Sequence, residues 1–74
     1  MPSKYPICPP NDVIAVLKKA NFAFVSQKGC HAKYSNGTRT VIVPMHDEIQ
    51  RWTLKSILEQ ADMTLDKFQS LRGK

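Results

Sequence analysis

The stretch from Phe22 to Val43 leaves this chain little freedom. Phe22-Ala23-Phe24-Val25-Ser26-Gln27 carries two aromatics at period two. Thr38-Arg39-Thr40-Val41-Ile42-Val43 is rich in β-branched residues, so both runs read as strands. Lys28-Gly29 breaks the first, and residues 30–35 form a second strand candidate. Asn36-Gly37 marks a hairpin, because both residues tolerate the positive φ of a type I′ turn. Pro44 ends the third strand, since it cannot donate to a ladder. Connections this short join antiparallel neighbours. The stretch therefore predicts a three-stranded antiparallel meander.

Helical patterns flank it. Asn11-Asp12 offers an N-cap for a helix over about 11–20. Val13, Leu17 and Ala20 fall at helical spacing there, and Ile14 widens the stripe. Lys18 and Lys19 suit the negative end of its dipole, and Asn21 suits its C-cap. Residues 45–52 read as a polar connection. Thr53 then caps a second helix with Leu54, Ile57, Leu58 and Ala61 on one face. Thr64 is placed to cap a further short helix carrying Leu65, Phe68 and Leu71. Phe22, Phe24, Leu54, Ile57, Leu58 and Phe68 are the candidate core. The expected fold is α+β in the order α-β-β-β-α. Two helices bury their stripes against one face of the sheet and leave the other open. That is also the order of the double-stranded-RNA-binding domain.

With 74 residues the chain suits one domain, expected over 1–74. Residues 1–10 hold four of the five prolines and read as an extended arm. Residues 70–74 are expected to fray. A domain of this size buries only ~60% of its unfolded surface, which leaves little room for a deep cofactor cavity. Eleven Lys and Arg against six Asp and Glu give a net charge of +5, a balance that favours polyanionic partners such as nucleic acid. Cys8 and Cys30 allow one disulfide arithmetically but form no secreted framework. No signal-peptide core and no run of ~20 apolar residues is present, so a reduced cytoplasmic protein with free thiols is expected.

The chemistry concentrates at Gly29-Cys30-His31-Ala32-Lys33-Tyr34. Histidine exchanges protons near neutral pH, as cleavage of a phosphate ester requires. Lys28, Lys33 and Arg39 lie near it in sequence or across the hairpin, where cations hold a phosphate. Strand alternation sets His31 and Lys33 on one face and Tyr34 on the other. That makes the His31 face the substrate face and Tyr34 a core residue, in preference to a base-stacking platform. Gly29 serves either a tight turn or a close approach by a nucleic-acid backbone. His46 is either a second catalytic group or, by preference, a residue that fixes the loop by a hydrogen bond. Cys8, Cys30, His31 and His46 lack the spacing of a zinc site, so no metal is expected. Trp52, the only tryptophan, is a packing lid or a partner anchor.

Taken together, these residues resemble the HicA toxin family. Lys28-Gly29-Cys30-His31-Ala32-Lys33-Tyr34 is similar to that family's glycine-serine-histidine box with its following aromatic. The hairpin Gly37 comes next, then Val43-Pro44-Met45-His46 as the valine-proline-x-histidine box. Leu54-Lys55-Ser56-Ile57-Leu58, followed by Gln60-Ala61, resembles the stretch of the second helix. The likeness runs from about Asn11 to Phe68. Cys30 stands where serine is common, and Trp52 and Asp62 where glycine is frequent.

The resemblance implies a double-stranded-RNA-binding-like fold and a toxin that cleaves mRNA without a metal or small-molecule cofactor. It implies His31 as the catalytic histidine; their charge and position around it make Lys28, Gly29, Lys33 and Arg39 the expected RNA-binding residues. It also implies a cognate antitoxin, HicB, bound over the active face, and no membrane association. Two other readings stay open: a non-catalytic RNA-binding module on the same fold, and an interaction protein that works only within a complex.

Overall fold

The computed structural model describes residues 5–45 and 48–73. In chain order its elements are α1 (Pro10–Lys19), β1 (Ala23–Lys28), β2 (His31–Ser35), β3 (Thr40–Pro44), α2 (Arg51–Gln60) and α3 (Leu65–Arg72). The strands form one antiparallel sheet in the order β1-β2-β3. This is the α-β-β-β-α arrangement expected for a double-stranded-RNA-binding-like fold, extended by a third helix.

The sheet has one buried and one open face. Ala32 and Tyr34 of β2 and Val41 and Val43 of β3 point into the core, against Val13, Val16 and Leu17 of α1 and Leu54, Ile57 and Leu58 of α2. Phe68 of α3 closes that core and is fully buried. The stripe of α2 and the alternation of β2 are those expected from the sequence; in α1 Val16 joins Val13 and Leu17 in the core, and Ile14 and Ala20 are only partly buried. Phe24 is not: it is 54% exposed. All six residues of β1 are exposed, because the helices sit behind β3 and leave the β1 edge uncovered. The Phe24 and Tyr34 rings meet edge to face, their centroids 5.7 Å apart. Phe22, just before the strand, fills the core in its place.

The helix ends also depart from expectation. α1 begins at Pro10, with Pro9 as N-cap and no side-chain cap. Proline tolerates the first helical position because its missing N–H would be unpaired there. Asp12 instead lies in the first turn, where its Oδ2 accepts from Arg72 Nη2 at 2.9 Å and Nε at 3.2 Å. Arg72 is thereby held in α3, where a frayed end was expected. α2 starts at Arg51 behind Gln50, two residues ahead of Thr53, again without a side-chain cap. Only Thr64 caps as expected, accepting from Lys67 N at 3.1 Å.

α1 and α2 end alike. After α1 the N–H groups of Asn21 and Phe22 donate to the carbonyls of Lys18 and Leu17. After α2 those of Asp62 and Met63 donate to Glu59 and Leu58. Both are Schellman closures, which need a left-handed residue. Asn21 and Asp62 fill that position at φ of 71° and 55°. A Cβ is strained there, so Asp62→Gly raises stability by about 1 kcal/mol. The lost contact with Arg39, 3.8 Å long and exposed, offsets little. A higher urea midpoint at unchanged slope checks this.

The N-terminal arm is pinned to the loop before α2. Cys8 and Ile49 exchange both backbone hydrogen bonds in an isolated antiparallel bridge, and both side chains are buried. The connection expected to be polar thus contributes Ile49 to the core. Burial pushes the Cys8 thiol above its usual range; Arg72 opposes this and Asp12 and Glu48 add to it. Unfolding lets that thiol ionise at its ordinary value, so its contribution is complete below about pH 8.5 and is lost as pH rises further. The stability difference between the parent protein and Cys8→Ala therefore shrinks from pH 7 to alkaline pH. Paired denaturant titrations measure it.

Among the described residues no helix is long and apolar enough to cross a membrane. Neither cysteine is in a disulfide; Cys8 is buried and Cys30 half-buried.

Candidate active site

Two short turns and one irregularity build the open face. β1 and β2 are joined by Gly29-Cys30, with Lys28 opposite His31. Gly29 sits at φ +59° and no positive φ occurs at Cys30, the pattern of a type II′ turn with glycine first. A Cβ at Gly29 would meet nothing within 4 Å, so backbone conformation is what favours glycine there. The second hairpin repeats the device one residue later than expected. Gly37 alone takes positive φ, and Asn36 N donates to Arg39 O across the loop. Asn36 uses its side chain instead: Oδ1 accepts from Thr38 N at 2.9 Å and Arg39 N at 2.7 Å. The type I′ expectation gives way because this local acceptor satisfies two loop donors.

A bulge decides what faces His31. Phe24 pairs with Tyr34, but Ser26 pairs with Lys33, so Val25 is an extra residue in β1. A regular ladder from the Phe24–Tyr34 pair would set Gln27 opposite His31. The extra residue advances the register, and Lys28 takes that place. Directly opposed residues have Cβ atoms about 5 Å apart. Pro44 flanks His31 on the other side, and the next row holds Ser26, Lys33 and Ile42. Met45 N donates to Cys30 O, tying the chain after β3 to the turn beside His31.

His31, Lys28 and Lys33 thus share one exposed face. Tyr34 is buried on the other, as expected. Arg39 is not brought to them. It lies beyond the far end of the ladder, about 14 Å of strand from His31. Its Nη1 donates to Gln60 O at 3.4 Å and its guanidinium faces Asp62. Gln60 Oε1 accepts from Ile42 N at 3.0 Å, so this corner fastens α2 to the sheet. A depression of about 450 Å³ near it, lined in part by Asn21, Asn36, Asp62, Thr64 and Lys67, has no lining residue in common with the His31 face. His46 lies outside the described residues. Among the described residues no three His, Cys, Asp or Glu side chains gather as metal ligands.

Sequence reasoning missed the bulge, which has no sequence mark, and left the fate of Trp52 open. Trp52 stands on the first turn of α2, 74% exposed, with Lys55 Nζ 5.4 Å from its ring centroid. It is no packing lid.

A small α-β-β-β-α fold with a histidine between lysines on an open sheet defines a basic surface site. The family model described as the HicA toxin of bacterial toxin–antitoxin systems matches residues 10–63, which span α1 to the close of α2. The chain therefore belongs to the HicA toxin family. Membership gives it a toxin role and an antitoxin as partner. Among curated proteins no sequence matches it.

Proposed function

We propose that this toxin is a metal-independent endoribonuclease that cleaves mRNA with His31 as general acid–base, and so arrests translation. The observation that carries the reading is the exposed row of Lys28 and His31, with Lys33 on the same face. RNA brings its own nucleophile. His31 takes the proton of a 2′-hydroxyl, and O2′ forms a bond to phosphorus. The bond from phosphorus to the 5′ oxygen breaks, and that oxygen receives the proton. The products are a 2′,3′-cyclic phosphate and a 5′-hydroxyl. Lys28 and Lys33 hold the phosphate and stabilise its growing negative charge. Gly29 turns the chain tightly enough to keep Lys28 and His31 adjacent. Arg39, tied into the corner with Gln60 and Asp62, contacts the RNA backbone only beyond the reacting phosphate.

A cognate antitoxin of the HicB type covers this open face and neutralises the toxin. The protein acts in the cytoplasm, where its substrate is.

The test is incubation of the parent protein and His31→Ala with a defined mRNA in excess EDTA, resolved on a gel. Cleavage by the parent alone supports the reading. Equal RNA binding without cleavage by either protein would make the chain a non-catalytic RNA-binding module.

A further inference from the structure

Trp52 is the largest apolar side chain left in the open. An indole in water forgoes a large burial gain, and such rings concentrate where a partner covers them. Its neighbours define the partner's charge. Arg51 precedes it and Lys55 lies over its ring, while no acidic residue occupies the first turn of α2. The chain as a whole carries +5. The position fits as well. Gln60, the last residue of α2, contacts Arg39 and Ile42 through its backbone and side chain. Its first turn lies about 14 Å along the helix from Gln60, and six residues of chain separate Pro44, which pairs with His31, from Arg51 at its start.

We propose that Trp52 is a base-stacking platform for single-stranded RNA, with Arg51 and Lys55 holding the adjoining phosphates. The proposal rests on the reading of the His31 face as an RNA site and extends that site onto α2. An aromatic ring beside cations is the usual means of gripping single strands without reading sequence. Stacking here adds affinity on one side of the cut and leaves the proton transfers to His31. Its loss therefore raises KM and spares kcat.

The experiment uses the uncleaving His31→Ala protein and a short fluorescein-labelled oligouridylate. Trp52 is the only tryptophan, so all indole emission reports this one ring. Emission is expected to quench saturably, with the same midpoint as the anisotropy of the labelled RNA. Adding Trp52→Ala weakens binding about tenfold, and Trp52→Phe restores most of it. RNA that binds by anisotropy with unchanged emission, and equally to Trp52→Ala, overturns the platform and leaves the nuclease reading standing. Trp52→Ala that keeps RNA affinity but loses its antitoxin would make the ring a protein anchor and also overturn the proposal. Absence of any RNA binding by the folded protein overturns both readings together.

Discussion

Phe68→Ala brings the protein to the edge of unfolding at 25 °C. Truncating a fully buried phenylalanine costs about 3–5 kcal/mol, as lost burial plus the cavity left behind. Domains are stable by only about 5–15 kcal/mol, and one this small sits low in that range. Phe68 is 0% exposed and packs from α3, which lies beyond the matched residues 10–63. The helix that seals this core thus lies outside the span that the family model matches. α3 is held by the Thr64 cap at its start and by the Arg72–Asp12 pair at its end, so its geometry is well defined when Phe68 docks. Urea titration followed by circular dichroism measures the loss. A cost below about 1 kcal/mol would mean that α3 is a dispensable appendage.

His31→Ala lowers RNA cleavage by about 10²–10⁴-fold, the usual contribution of general acid–base catalysis. The fold survives, because the side chain is exposed on the open face of the sheet. Surface substitutions of this kind shift stability by only about 0.5 kcal/mol. The signature is a protein with the parent's melting curve that no longer arrests growth when expressed without its antitoxin. Growth arrest by a folded His31→Ala protein would remove the histidine from the mechanism.

Several of these features were legible in the chain, and for a common reason. Burial imposes a period, so Leu54, Ile57, Leu58 and Ala61 announced the face of α2, and alternation separated His31 and Lys33 from Ala32 and Tyr34. Glycines announced the turns. What stayed hidden depends on register and on end geometry. The extra residue at Val25 looks like any strand residue, yet it replaces Gln27 by Lys28 opposite His31. Phe24 stays exposed beside Tyr34 because the helices leave the β1 edge uncovered. α1 and α2 start without side-chain caps, so Asn11-Asp12 and Thr53 pointed two to three residues too far along. Arg39 is near His31 only in a list of residues; the hairpin carries it to the opposite end. Composition says nothing of whether Trp52 finds a pocket, and it does not.

The central claim is that His31 moves the proton of the RNA's own 2′-hydroxyl. Single-turnover cleavage of one defined RNA in EDTA, by the parent and His31→Ala side by side with the new ends identified, tests it most directly. The account predicts 2′,3′-cyclic phosphate and 5′-hydroxyl ends from the parent and a rate at least 10²-fold lower from the variant. Ends bearing 3′-hydroxyl and 5′-phosphate, or equal rates from the two proteins, would contradict it.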